Sequence, residues 1–245
     1  MENKPVQFTQ VKSSWEHIYG NPGPEKYYTE LKEVDYGHYQ DVLLDTLKTN
    51  GLDSLGYKPG KSVNVVDIGC SYGNTSLMFT CGFTWAETVN AWKGERPLPD
   101  SRKRFHVCGI DLSENALQYG LNAGIYDSVL CTDLNDPASE LTCKAMEILR
   151  DADVLLMSMS SCYFDLGTLR NLFTGFLSQD PSGKLIIYDV LDTFETRDLS
   201  PDILLPEVKP SKVIRQIAKH RNLTAEEQLK LNLKEARTTM YILGF

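Results

Sequence analysis

The stretch Val63-Asn-Val-Val-Asp-Ile-Gly-Cys-Ser-Tyr-Gly-Asn74 decides the fold, because an apolar strand ends in an acid and continues into a loop of small residues. Gly69 and Gly73 allow the backbone to turn tightly and to approach a ligand closely. A helix that follows such a turn directs its first N–H groups into the same space. The stretch therefore predicts a nucleotide-like ligand above the turn.

The charge of this turn indicates which kind of nucleotide it binds. A dinucleotide fold would place a pyrophosphate here, and a carboxylate within ~5 Å of it, such as Asp67, would cost about 1–3 kcal/mol at a surface-like dielectric. Ser71 also stands where the dinucleotide fingerprint has its second glycine. A ligand with an ammonium or sulfonium group is compatible with Asp67, whereas NAD is not.

Two further strand candidates also end in an acid. Arg104–Asp111 ends in Asp111, whose carboxylate can accept a hydrogen bond from each hydroxyl of a ribose diol. Val129–Asp133 ends in Asp133, which suits an adenine amino group, and Leu134 is a candidate wall for the base. With Asp67, these two acids end three successive strand candidates and support the resemblance that follows.

In these features the chain resembles class I S-adenosylmethionine (SAM)-dependent methyltransferases, whose motif I is an acid-x-Gly-x-x-x-Gly turn. The motif Gly-Cys-Ser-Tyr-Gly is similar to that of small bacterial members of the family, and the resemblance covers about residues 60–190. It implies SAM as cofactor and S-adenosylhomocysteine (SAH) as product. The cofactor-binding residues that it implies are Asp67, Gly69, Cys70, Ser71, Gly73, Asn74, Asp111, Leu112, Asp133, Leu134, Ser158, Tyr28 and Tyr36.

The alternation of strands and helices predicts an α/β fold with a mostly parallel, Rossmann-like sheet. The strand candidates are 63–68, 104–110, 128–132, 153–159 and 184–190. The family resemblance implies seven strands if a closing pair forms, and it implies that the closing strand, at 238–243, is antiparallel. A helix is also expected to begin at Asp136–Pro137.

We divide the chain into an N-terminal helical cap or lid at 1–58 and a SAM-binding catalytic domain at 59–245. Asp67 and Asp111 lie 44 residues apart, which exceeds a minimal strand–helix–strand unit, so an insertion is expected at 82–103.

Phenols are unusually dense near the N-terminus, at Tyr27, Tyr28, Tyr36 and Tyr39. In the resembled family an N-terminal helical element often lies over the cofactor. Aromatic faces attract a sulfonium through cation–π interaction of about 0.5–2 kcal/mol. Two interpretations stay open: the tyrosines form a lid over the cofactor, or they pin a helix to the sheet.

The candidate catalytic residues follow strands four and five or lie near the N-terminus. Ser160 and Tyr163 offer hydroxyls to a substrate at the carboxyl end of strand four, where open α/β sheets bind ligands. Asp189 could take a proton from the acceptor or hold an amine, and His38 is a further candidate. Each candidate also has a structural interpretation. Ser160 could cap a helix, Tyr163 could be a packed aromatic ring, Asp189 could be a surface acid, and His38 could be a core histidine.

Composition excludes several functional classes. A net charge of −8, from 33 acids and 25 bases, argues against a nucleic-acid substrate. No run approaches the ~18 apolar residues of a membrane span, so we expect a cytoplasmic monomer or homodimer with a small-molecule substrate. The six cysteines form no C-x-x-C pair, so free thiols and no metal site are expected.

The function that these features favour is methyl transfer from SAM to a small molecule. Such a displacement needs chiefly the alignment of nucleophile, methyl carbon and sulfur, so the chain needs no obvious strong base. One alternative is a methyltransferase-like enzyme that uses the aminocarboxypropyl arm of SAM, by transfer or by cyclisation as in azetidine-2-carboxylate synthases, and releases methylthioadenosine. The other is a non-enzymatic binding subunit, against which the intact set of acids argues.

Overall fold

A computed structural model describes residues 16–51 and 62–245, and within these ranges a seven-stranded sheet forms the centre of the molecule. The strands are β1 (Val63–Ile68), β2 (Phe105–Asp111), β3 (Ser128–Cys131), β4 (Val154–Met157), β5 (Leu185–Val190), β6 (Lys212–Asn222) and β7 (Glu235–Gly244). Their order is β3-β2-β1-β4-β5-β7-β6. The first five are parallel, and β7 runs antiparallel to both β5 and β6. The Rossmann-like fold and its antiparallel closing strand are therefore confirmed.

Helices cover both faces of the sheet. They are α1 (Glu16–Tyr19), α2 (Glu25–Glu33), α3 (Gly37–Asn50), α4 (Asn74–Cys81), α5 (Trp85–Trp92), α6 (Glu114–Asn122), α7 (Glu140–Arg150), α8 (Leu166–Phe176), α9 (Pro201–Leu204) and α10 (Ala225–Leu231). Val65 packs into the core beneath α3 and α4, whereas its neighbour Val66 packs into the core beneath α7 and α8. Burial on both faces explains why the central strands are continuous apolar runs.

The expected N-terminal helices are present. Leu31 of α2 and Leu43 of α3 are buried in the same core as Val65. The helix α3 ends where Gly51 adopts a φ of 61°. The predicted domain boundary between residues 58 and 59 lies outside the described residues, and the lid remains a prediction.

The expected insertion contains α5 and a short 3-10 turn between α4 and β2. Thr84 and Glu87 form a capping box that starts α5. Trp92, at the end of the helix, donates its indole N–H to the carbonyl of Tyr72 at 3.0 Å. The insertion therefore braces the loop that follows β1.

Two features differ from the expectations. The helix predicted at Asp136–Pro137 begins instead at Glu140, because the Asp136 carboxylate accepts the N–H of Ala138 in a turn and Ser139 caps the helix. The strand β6 was not predicted, although it supplies part of the cavity wall described below. None of the helices in the described ranges has the length and apolar character needed to cross a membrane.

Candidate cofactor site

The loop after β1 is shaped by backbone conformations that favour glycine. Gly69 has a φ of 67° and Gly73 a φ of 85°. A Cβ atom on Gly69 would also lie 2.3 Å from the Cβ of Ser160, in the loop after β4. The Ser160 hydroxyl donates a hydrogen bond to the Ile68 carbonyl at 2.7 Å. The two loops therefore approach each other as closely as the backbone allows.

Asp111 joins the loop after β1 to the start of α6. Its Oδ2 accepts the N–H of Ser71 and its Oδ1 accepts the N–H of Ser113, both at 2.8 Å. Burial raises the pKa of Asp111, while these backbone N–H groups oppose the rise. The carboxylate is thus fixed in place and lines a cavity, as a ribose-binding acid requires.

Asp67 is buried behind the cavity wall and does not reach the cavity itself. It is 1% exposed, it does not line the cavity, and its Oδ2 accepts the Ser76 hydroxyl at 2.6 Å. Burial raises the pKa of Asp67 to about 7, against the lowering effect of the Ser76 hydrogen bond. Any influence of Asp67 on a ligand therefore passes through the loop and depends on its protonation.

The cavity has a volume of about 980 Å³ and opens above the carboxyl ends of the parallel strands, where the chain order reverses between β1 and β4. This volume is at the upper end of the range for small-molecule sites. The predicted site residues that line it are Gly69, Ser71, Asn74, Asp111, Leu112, Asp133, Leu134, Ser158, Ser160, Tyr163 and Tyr36.

Besides Asp67, four predicted site residues do not line the cavity: Cys70, Gly73, Tyr28 and Asp189. Gly73 starts α4 and Tyr28 stacks on Trp92, so both shape the site from outside. Asp189 lies directly behind the cavity wall. The side chain of His38 lies outside the described residues.

One side of the cavity is formed by the loops after β2, β3 and β4. Asp133 Oδ1 accepts the backbone N–H of Asn135 at 2.9 Å. The Asn135 side chain in turn donates to the carbonyl of Tyr163 at 3.2 Å. Tyr163 and Leu112 are 59% and 69% exposed, respectively, and so lie at the mouth of the cavity.

Sequence reasoning missed many residues of the cavity wall, among them Tyr19, Tyr27, His220 and Arg221. The rings of Tyr19 and Tyr27 lie 6.5 and 5.4 Å from that of Tyr72. The density of tyrosines signalled Tyr27, but only as part of a general cluster. His220 and Arg221 gave no signal because β6 was not recognised as a strand.

The segment after α1 is fastened to the site through its backbone carbonyls. The Ser113 hydroxyl donates to the Tyr19 carbonyl at 3.1 Å, and the Tyr72 hydroxyl donates to the Asn21 carbonyl at 2.9 Å. Ser113 is also the residue whose N–H binds Asp111. The N-terminal segment and the proposed ribose-binding acid therefore share a partner.

Comparison with known proteins bears on the fold. No family model matches the chain, and no curated protein sequence matches it. TehB from Haemophilus influenzae superposes with a TM-score of 0.51 at 10% identity, over 83% of this chain and 61% of TehB. Two further structures superpose with TM-scores of 0.49 at 13% identity. One is magnesium protoporphyrin IX methyltransferase (ChlM) from Synechocystis PCC 6803 with bound SAM, and the match covers 94% of this chain and 89% of ChlM. The other is the plantazolicin methyltransferase BamL with SAH, and the match covers 90% of this chain and 91% of BamL.

This chain spans about three fifths of the length of TehB. The chain has a seven-stranded, Rossmann-like fold, and its likeness to TehB is a likeness of fold.

Proposed function

We propose that this protein transfers the methyl group of SAM to a small-molecule acceptor. The observation that carries the proposal is the position of Asp111, a carboxylate held by two backbone N–H groups at the edge of a cavity above the sheet. Asp133 stands at the end of the adjacent strand. Both acids line the same cavity, so a ribose at Asp111 and an adenine at Asp133 could belong to one ligand.

Each part of the cofactor has a chemically suitable partner. Asp111 would bind the ribose hydroxyls, and Asp133 would face the adenine amino group. The side chains of Ser71 and Asn74 would face the methionine portion, because both residues line the cavity beside the turn. Tyr27 lines the same cavity and its hydroxyl donates to Asn74 Oδ1 at 3.4 Å, so its ring is available to attract a sulfonium.

Bound SAM supplies an electrophilic methyl group, and the protein aligns an acceptor with it. The cavity is large enough for a cofactor and a small acceptor together. Tyr163, Asp189 and His38 remain candidate catalytic residues. Ser160 is a less direct candidate, because its hydroxyl donates to the Ile68 carbonyl and so positions the loop. The six cysteines are free thiols, which supports a reducing cytosolic compartment.

Calorimetry with SAM, SAH and NAD tests the cofactor assignment. We expect SAM and SAH to bind and NAD to bind much more weakly. Asp111→Ala should lose about 1.5–3 kcal/mol of SAH affinity, the range for hydrogen bonds to a charged group. Asp45→Ala, on the exposed surface of α3, is the matched control and should bind as the wild type does.

Incubation with SAM and a metabolite extract, followed by mass spectrometry, tests the reaction. We expect SAH and a product that is heavier than its acceptor by one methylene unit. Release of methylthioadenosine would instead identify the aminocarboxypropyl arm as the transferred or cyclised group. Tighter binding of NAD than of SAM would reject the assignment at the level of the cofactor.

A further inference from the structure

A buried carboxylate lies directly behind one wall of the cavity. Asp189, near the carboxyl end of β5, is 0% exposed. Its carboxylate accepts the hydroxyl of Tyr39 and, at 2.8 Å, the backbone N–H of Met159. The Ser158 hydroxyl lies 3.4 Å from Asp189 Oδ2 and 3.3 Å from the Tyr39 oxygen. Ser158 lines the cavity and Asp189 does not, so Ser158 lies between the cavity and the Asp189 carboxylate.

The charge of Asp189 influences its surroundings. Burial, and then the proximity of Asp189, raise the pKa values of Tyr39 and Tyr36. Tyr36 lines the cavity, and the ring of His220 contacts both tyrosines edge-on. The electrostatic effect of Asp189 therefore reaches Tyr36, a residue of the cavity wall.

The cavity wall offers little to an anionic acceptor. Arg221 is 2% exposed, and its guanidinium donates two hydrogen bonds of 2.8 Å to the Glu227 carboxylate. Its charge is therefore already balanced. Among the described lining residues, His220 is the other basic side chain, and it lies against Tyr36 and Tyr39. Tyrosine rings and the side chains of Leu31, Met159 and Leu191 make much of the remaining wall apolar or aromatic.

We propose that the acceptor is a neutral aromatic hydroxyl compound whose hydroxyl binds Ser158, and that Asp189 takes the proton through Ser158. The proposal rests on the proposed methyl transfer. As the acceptor oxygen bonds to the methyl carbon, the carbon–sulfur bond breaks and its electron pair stays on sulfur. The acceptor proton passes to Ser158 Oγ while the Ser158 proton passes to Asp189 Oδ2. The sulfonium loses its positive charge as Asp189 loses its negative charge, so the buried site gains no net charge.

This arrangement makes Ser158 the residue that touches the acceptor. Asp189 is a positioning residue, because it acts through the serine hydroxyl. Tyr39 and the N–H of Met159 hold the carboxylate in the orientation that faces Ser158.

4-Nitrophenol is a suitable probe, because its neutral and ionised forms coexist near neutral pH and absorb at different wavelengths. Calorimetry first establishes that SAH binds, since failure there would reject the proposed function and not this inference. The probe is then titrated into the SAH complex. A carboxylate behind Ser158 disfavours a second negative charge, so the bound probe should be neutral and the phenolate absorbance should fall.

Three variants make the experiment specific. Asp189→Asn keeps the shape and removes the charge, so the phenolate fraction of the bound probe should rise several-fold. Ser158→Ala should weaken probe binding about 2- to 10-fold, the equivalent of one hydrogen bond. Ser182→Ala, in an exposed turn before β5, is the matched control and should behave as the wild type does.

Several outcomes would overturn the inference. The wild-type SAH complex could fail to bind 4-nitrophenol, or could bind it as the phenolate. The spectra of the bound probe could be the same in the wild type and in Asp189→Asn. The wild type could also bind 4-nitrobenzoate as tightly as it binds 4-nitrophenol. If Asp189→Asn does not fold, Ser158→Ala still decides, because loss of one hydroxyl from the cavity wall leaves the buried carboxylate and its other partners in place.

Discussion

Gly69 is a residue at which two independent constraints meet. Its positive φ disfavours a side chain, and the close approach of Ser160 excludes one. Gly82, at the end of α4, has a nearly identical φ of 68° but no heavy atom within 4 Å of where a Cβ would stand. The two glycines therefore separate the cost of the backbone conformation from the cost of crowding.

We expect Gly82→Ala to lower the free energy of unfolding by about 1–2 kcal/mol, the cost of a left-handed alanine. Gly69→Ala should cost more, because the Ser160 loop must also move, and it should weaken SAH binding. Urea unfolding and calorimetry measure the two effects. Equal losses of stability in the two variants would contradict the role assigned to Ser160.

Asp67 should make stability depend on pH in a definite direction. Burial raises its pKa to about 7 in the folded protein, against about 3.9 for an unfolded chain. Between these values the folded state binds the proton and the unfolded state does not, so this contribution to stability falls as pH rises from about 4 to about 7. Asp67→Asn should flatten the profile in that window, as measured by unfolding at several pH values. An unchanged slope would show that Asp67 is ionised when folded.

Among the elements, β6 shows where sequence reasoning stops. The five parallel strands were predictable because burial on both faces makes them apolar runs, and their ends are within two residues of the predicted ones. In β6, Lys212, Arg215 and Lys219 interrupt the apolar pattern, as is typical of an edge strand. Its only strand partner in the described sheet is β7, with which it pairs from Lys212 to Asn222. Missing β6 also meant missing His220 and Arg221, whereas the strand-ending acids of the site were predictable from local sequence.

The helix α10 is joined to β6 by a buried ion pair that can be compared with an exposed one on the same helix. Arg221 and Glu227 are almost wholly buried, whereas Glu226 and Lys230 are largely exposed. Glu227→Ala should lower the free energy of unfolding by about 3–5 kcal/mol, because it leaves a buried guanidinium unbalanced. Glu226→Ala should cost less than about 1 kcal/mol. Similar losses in urea unfolding would show that water reaches Arg221.

The N-terminal helices should respond to the cofactor if they form a lid. Tyr27 and Tyr36 line the cavity, and the Tyr19 carbonyl is held by Ser113 beside Asp111. SAM should therefore slow amide exchange in residues 24–40, because a ligand stabilises the closed form over open ones. Mass spectrometry of peptides measures this, with α8 on the opposite face of the sheet as the internal control. Exchange that is equal with and without SAM would assign the tyrosines to packing.

At the scale of the whole molecule, the cavity depends on segments that are far apart in sequence. Its walls come from the N-terminal helices, from the loops after the parallel strands, and from β6. The acids of the site follow from local strand endings, but the lining tyrosines and the Ser158–Asp189 contact depend on pairings between distant segments. The cofactor side of the site was therefore more predictable than the acceptor side.

The position of β7 has a consequence for synthesis on the ribosome. The strand lies between β5 and β6 but follows both in the chain. A nascent chain that has emerged only as far as residue 222 thus carries β6 without its neighbour and β5 with one open edge. Open edges of this kind recruit other chains, and charged side chains such as Lys212 and Arg215 discourage that pairing. The basic residues that conceal β6 from sequence analysis would then protect the unfinished protein from aggregation until β7 has been made.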